Sequence, residues 1–249
     1  SFKIDQMVNE MFIDTVTEVE NAFRLSKLVG FRPQPPIAAR SMWVATLQTP
    51  QLTDVTIPTP VTVEVVSEGE GMTIELFPAD ASNNPLFDQD IMVPAGATEN
   101  RSIVGLEGQT FEQTASGTGE VGQTYQLNFS PVISDSVRVE VDGVQWEEVE
   151  YFTDSQPRRE YRVEFDSDYN AFVMFGNNRA GMIPSSGSNI VMTFRVGGGV
   201  RGNIVSGFVE TQRQTPVPGP SFHVPVTFRN VTRGEYGYDG DTIEDLRRK

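Results

Sequence analysis

A change of hydrophobic period at the run Arg32-Pro-Gln-Pro-Pro36 constrains the fold of this chain more than any other feature. Before it, Ile4, Met7, Val8, Met11, Phe12, Thr15, Val16, Val19 and Phe23 recur at spacings of three and four, the pattern of one helix face. The spacing predicts a helix over residues 4–29. Gly30 supplies a C-terminal stop, and the prolines, which lack an amide donor, turn the chain into a stiff, extended connector. After Ala38 the period is two, so the rest of the chain must be built mainly from strands.

Three alternating segments, Met42-Trp-Val-Ala-Thr-Leu47, Val61-Thr-Val-Glu-Val-Val66 and Met72-Thr-Ile-Glu-Leu-Phe77, define a first β-rich unit over 37–113. Within it, Ala79-Asp-Ala-Ser-Asn-Asn-Pro85 and Pro94-Ala-Gly-Ala97 read as turns. The polar link Thr114-Ala-Ser-Gly-Thr-Gly-Glu-Val-Gly122 has nothing to bury and is the expected boundary. A second β-rich unit over 123–230 follows, with strands at Thr124–Phe129, Val137–Val141, Tyr161–Phe165, Ala171–Phe175 and Ile190–Val196. Residues 212–225, with Pro216, Pro218, Pro220 and Pro225, are too proline-dense for a central strand and read as an extended loop. Asp241, three residues before Glu244, suggests a capping box, so 231–249 reads as the start of a C-terminal helical or oligomerisation region. The fold class expected is α+β, mainly β: an N-terminal helix, two antiparallel or mixed β-rich units, and a further helix starting at the end. Beginning at Ser1 without Met and stopping at Lys249, the chain reads as a fragment of a longer polypeptide.

Composition excludes several functions. A net charge of −15 repels phosphate backbones and anionic lipid, so neither nucleic acid nor a membrane is an expected partner. With no cysteine there is no disulfide, thiol nucleophile or cysteine-ligated metal, and His223 is the sole histidine. No apolar run approaches the roughly 20 residues that span a bilayer, and a soluble protein is expected.

Chemical motifs fail on their context. Gly197-Gly-Gly-Val-Arg-Gly202 fits the dinucleotide-binding template, but such a site needs a helix next to hold the pyrophosphate. Here the sequence leads into the proline-rich stretch, and a structural glycine turn is the better reading. Asp166-Ser-Asp-Tyr-Asn170 resembles the start of a calcium loop, yet Ala171 and Asn177 stand where Gly and a bidentate Glu belong, which leaves a hairpin turn. The carboxylates Asp88 and Asp90, or Glu147, Glu148 and Glu150, read as solvated faces, and His223 between Phe222 and Val224 reads as packed or exposed rather than as a base. No catalytic residue, cofactor or metal is expected.

One longer pattern remains. Phe175-Gly-Asn-Asn-Arg-Ala-Gly-Met-Ile-Pro184, then Gly187, then Ile190-Val-Met-Thr-Phe-Arg-Val-Gly-Gly-Gly-Val-Arg-Gly-Asn-Ile204 resembles the signature stretch of the baseplate J-like proteins of contractile-tailed phages. Its signature turns here are Phe175, Gly176, Gly181, Pro184, Gly197, Gly198, Gly199, Gly202 and Asn203. Phe23-Arg-Leu-Ser-Lys-Leu-Val-Gly-Phe-Arg-Pro-Gln-Pro36 is similar to that family's helix stop, and Asn230 followed by Gly237-Tyr-Asp-Gly-Asp-Thr242 to its last helix start. Asn177 stands for the usual Asp, Phe194 for the usual Tyr, and Gly240-Asp241 alters the final pattern, which marks a divergent member.

The resemblance implies a non-enzymatic baseplate wedge subunit of a contractile phage tail or related contractile injection system. Its copies would pair into a ring around the tail hub and relay the trigger for sheath contraction. Its partners would be other wedge proteins and further copies of itself, with hub and sheath reached indirectly. It would be assembled in the host cytoplasm and reside in the tail baseplate of the virion. Periodicity alone leaves the N-terminal stripe open between packing on its own chain and joining an intersubunit bundle. The resemblance favours the bundle, with Met7, Met11, Phe12, Val16, Val19 and Phe23 as its face. The alternative function is a β-rich tail adhesin or carbohydrate-binding module, which would need exposed aromatic faces at Trp43 or Trp146.

Overall fold

The computed structural model describes residues 19–28, 31–67, 70–152, 156–207, 210–216 and 223–248. The chain is mainly β with few helices, as its alternation requires. Helix α1 spans Val19–Leu28 and precedes strands β1 (Arg40–Leu47), β2 (Val55–Ile57), β3 (Val61–Ser67), β4 (Glu70–Pro78), β5 (Ile91–Val93) and β6 (Glu99–Glu107). Then come β7 (Gln109–Ser116), β8 (Thr124–Gln126), β9 (Arg138–Val141), β10 (Val144–Gln145), β11 (Glu147–Glu148), β12 (Glu160–Phe165), β13 (Ala171–Phe175) and β14 (Asn189–Val196). The chain ends with β15 (Glu210–Pro216), β16 (His223–Asn230) and helix α2 (Ile243–Arg248).

Contacts divide the chain into two interleaved units rather than two sequential ones. One holds Ala38–Gln109 with Gly198–Tyr238; the other holds the described residues up to Ile37, Thr110–Gly197 and those from Asp239 on. The expected boundary at 114–122 is therefore displaced to Gln109, and the residues from Gly198 to Tyr238 join the first unit, not the second. The cause is strand pairing at long sequence separation: β16 lies against β1, with Trp43 opposite Asn230 and Leu47 opposite Val226.

The first unit is an antiparallel six-stranded sheet of order β15-β16-β1-β6-β4-β3 with the small β2-β5 ribbon. Alternation sends Trp43, Ala45 and Leu47 of β1, Val63 of β3, Leu76 of β4 and Phe228 of β16 into one core, which Ile57 and Ile91 of the ribbon complete. Trp43 is fully buried, and its indole N–H donates to Ser41 Oγ at 2.8 Å. The loop expected over 212–225 is in part the β15–β16 hairpin ladder. Pro225 escapes the rule against proline in an interior strand because the ladder to β1 ends at Val226, one residue further on, so no amide is demanded on that side.

The second unit is a sandwich. Sheets of order β10-β9-β14-β7 and β11-β12-β13-β8 face one core, built from Val139, Ile190, Met192 and Phe194 of the first sheet and Tyr161, Val173 and Phe175 of the second. Residues 109–116, whose polar alternation resembles a linker, form β7, and Phe111 and Ala115 rest on this core.

Where the described part of the predicted helix begins, it is held by its own chain. Ala22 and Phe23 are buried with Leu246 of α2, and the Phe23 ring meets Tyr169 edge-on at 5.6 Å. The connector is pinned too: the Gln34 N–H donates to Asp241 Oδ2 at 2.7 Å, and the Asp241 N–H donates to Gln34 O at 3.0 Å. Asp241 is thereby removed from helix capping, and the box shifts by one residue. Thr242 N–H donates to Asp245 Oδ2 at 3.0 Å, and Asp245 N–H returns to Thr242 Oγ1 at 3.3 Å.

Candidate functional site

The signature residues fall into two clusters, one in each unit. Gly197, the last residue of its segment of the sandwich unit, and Gly198 and Gly199, which open the next segment of the six-stranded unit, carry positive φ, which steers the chain out of β14 without a side-chain penalty. A three-residue 3-10 turn, Val200–Gly202, follows where a dinucleotide site would require a full helix, so the phosphate-binding template is not realised. The Gly198 N–H donates to the buried Glu107 carboxylate at 2.6 Å. Asn203 then clasps Gly237 from both sides: its Oδ1 accepts from the Gly237 N–H at 3.0 Å, and its Nδ2 donates to the Gly237 carbonyl at 3.3 Å.

The sequence places Asn203 only among the signature turns; that it bonds Gly237 comes from the fold. A second lacing runs alongside. Buried Asn230 donates through Nδ2 to Val205 O at 2.7 Å, and Gly234 N–H donates to Ile204 O at 2.7 Å. Gly202, Gly234 and Gly237 have no positive φ; they are small because backbones or Cβ atoms from the opposite segment stand where a side chain would go.

In the sandwich unit, Phe175 closes β13 inside the core, edge-on to Trp146 at 5.2 Å. The turn after it is built by side-chain amides: Asn177 Oδ1 accepts from the N–H groups of Arg179 and Ala180, at 3.0 and 2.9 Å, and Asn178 Oδ1 from Ile183 at 2.9 Å. An aspartate oxygen would accept those bonds equally, so the Asn177 departure leaves the turn's mechanics intact. Gly176 and Gly181 lie back to back, and a Cβ on Gly181 would stand 2.6 Å from the Phe152 ring. Pro184 O accepts from buried Gln123 Nε2 at 2.8 Å, which ties the polar segment before β8 to this corner.

Several of the remaining carboxylates hold local structure. Asp166 folds its own hairpin, its Oδ1 accepting from the N–H groups of Asp168 and Asn170 at 2.9 Å each and its Oδ2 from Asn170 Nδ2 at 2.8 Å. Asp80 repeats that device with Ser82 and Asn84, and the Asn84 N–H, bonded at 2.7 Å, holds its carboxyl below the ordinary value. Asp90 accepts from the Thr59 N–H, and Glu150 pairs with Arg32 at 3.5 Å. Asp88 and Glu147 are exposed. Among the described residues no group of three potential ligands could hold a metal ion. His223 is placed by its backbone in β16, and its side chain lies outside the described residues, as do Met7, Met11, Phe12 and Val16 and the side chain of Val19. Phe23 is described and is buried within its own chain.

Sequence reasoning missed a groove in the sandwich unit lined by Arg138, Arg158, Arg159, Trp146 and Tyr161. The adjacent pair Arg158-Arg159 was the available signal. Glu148 on its wall is exposed by area, yet the protein packed around its carboxyl removes enough solvent, with the nearby Asp135 charge, to push it upward. Burial likewise raises the Tyr161 hydroxyl, which donates to Val137 O at 2.9 Å. No helix among the described residues is long and apolar enough to cross a membrane.

No family model matches this chain. No curated protein matches it either.

Proposed function

We propose that this chain is a structural subunit of the baseplate wedge of a contractile phage tail or a related contractile injection system, working through shape and interfaces and catalysing no reaction. One observation carries the reading. The residues that resemble the J-like signature do backbone work: Asn203 and Gly202 fit against Gly237 and Gly234, and Gly176 against Gly181, with no ligand needed to explain any of them.

In this reading the helix predicted from residue 4 presents Met7, Met11, Phe12, Val16 and Val19 to other wedge proteins. Phe23, which its own chain buries, serves as the anchor of that helix rather than as part of the interface. Copies of the chain join in a ring around the tail hub, within the virion baseplate, and reach hub and sheath through the other wedge subunits. The test is assembly with the wedge proteins on a sizing column. Phe12→Asp with Val19→Asp is expected to abolish the complex while leaving both tryptophan signals native; unchanged assembly overturns the bundle.

An adhesin or carbohydrate-binding module has less support. Trp43 is fully buried and Trp146 is 7 % exposed, so neither indole offers the open face on which sugar rings stack.

A further inference from the structure

In a chain with 34 acidic and 19 basic residues, adjacent exposed arginines that pair with no described residue run against the net charge. In the sandwich unit the chain passes from one sheet to the other at Trp146, between β10 and β11, each the terminal strand of its sheet. Beside that crossing lies an open groove of about 740 Å³, floored by the buried Trp146 and Tyr161, with Met182 half-buried on its wall and Arg138, Arg158, Arg159, Glu147 and Glu148 around it.

The arginines differ in how far they are engaged. Arg138 donates to the carbonyls of Asp135 and Val137, at 3.1 and 2.9 Å. Arg158 and Arg159 are exposed, and among the described residues neither guanidinium makes a hydrogen bond or ion pair, even though Glu147 and Glu148 line the same groove. Their backbones are nonetheless fixed. Met182 N–H donates to Arg158 O at 2.7 Å and Glu147 N–H to Arg159 O at 2.9 Å, so two cations with no partner among the described residues are held at the groove's edge. Guanidinium forks of this kind take carboxylates in bidentate fashion, and the half-buried Met182 beside them offers an apolar contact.

We propose that this groove is a docking site for an acidic, extended peptide segment of another protein, its carboxylates on Arg158 and Arg159 and an apolar side chain against Met182. The inference goes beyond the wedge reading and does not depend on it, since its test needs only the isolated chain.

The probe is a short fluorescein-labelled peptide alternating Glu with Val, compared with peptides in which Gln or Lys replaces Glu. Fluorescence polarisation is expected to show the Glu peptide binding at least about tenfold more tightly than either control at low salt, with the advantage fading as salt is raised. Arg158→Glu with Arg159→Glu should remove the preference, and Arg158→Lys with Arg159→Lys should keep most of it. Quenching of Trp146 by the peptide places the binding in the groove, because fully buried Trp43 in the other unit supplies a constant background. Equal binding of the three peptides, equal binding by the charge-reversed variant, or an unperturbed Trp146 each overturns the proposal. A negative result leaves wedge assembly, measured separately, untouched.

Discussion

Replacing Gly202 by alanine tests whether the signature glycines are there for close packing. Gly202 has no positive φ, so only space opposes a side chain. An added Cβ would overlap the Cβ of Ala39 and stand 2.8 and 2.9 Å from Cβ and Cγ of Glu107. Both neighbours are buried, and neither Cβ can swing away by changing rotamer. Overpacking of that kind costs about 1–3 kcal/mol. Displacing Glu107 also weakens its charge-assisted bond to the Gly198 N–H, a class worth about 1.5–3 kcal/mol, so a total near 2–4 kcal/mol is expected once overlap between the two effects is allowed for. The assay is urea unfolding followed by Trp43 fluorescence in a Trp146→Phe background, which reports the six-stranded unit alone. Gly71→Ala is the control: no atom lies within 4 Å of its added Cβ and its φ is not positive, so its effect should stay within about 0.5 kcal/mol. Ala39→Gly combined with Gly202→Ala removes the worst overlap and should recover at least about 1 kcal/mol. If Gly202→Ala behaves like Gly71→Ala, or Ala39→Gly gives no rescue, the close-packing argument is wrong.

Asp166→Ala should destabilise the sandwich unit by about 1–2 kcal/mol, read from Trp146 unfolding, and Asp166→Asn should restore most of that because an amide oxygen still accepts the two backbone N–H groups. Tyr169→Phe keeps the edge-on contact with Phe23 but loses the 2.7 Å bond to Asp241 O, and should cost about 1 kcal/mol in the same assay. The carboxyl of Asp80 is depressed below 3.8 in the folded state, chiefly by the Asn84 N–H. Its contribution is therefore present above that unfolded value and lost as pH falls through the lower folded one. Asp80→Asn should lose this part of the acid dependence of the six-stranded unit, seen as a shallower decline of stability with falling pH by Trp43 fluorescence. An unchanged decline would show that Asp80 is not linked to folding.

The strands were legible wherever one face meets the core. Met42–Leu47 and Ala171–Phe175 alternate because every second side chain is buried, and that period survives into β1 and β13. What the sequence could not disclose was which strand neighbours which. Pairing of β1 with β16 crosses most of the chain and leaves no local mark, so a polar, glycine-bearing stretch at 114–122 was the natural but wrong place to cut. Residues 109–116 escaped notice because their buried contributions are modest, Phe111 and Ala115 among Thr, Gln and Glu. Pro225 was misread because its tolerance depends on where a neighbouring ladder stops. Asp241 was a sound cap by type, but Gln34, distant in sequence, takes its carboxylate. At the signature, the turn-forming glycines were readable from residue type; the clasp of Asn203 on Gly237 and the groove at Arg158 and Arg159 required the fold.

As proposed, this chain is a baseplate wedge component that acts by contact alone. Electron cryo-microscopy of the intact contractile particle, with this chain located in the density, tests it most directly. The expected result is several copies in a ring around the tail hub, with the N-terminal helices bundled among neighbouring subunits. Density placing the chain at the tip of a receptor-binding fibre, or its absence from the baseplate, would contradict it.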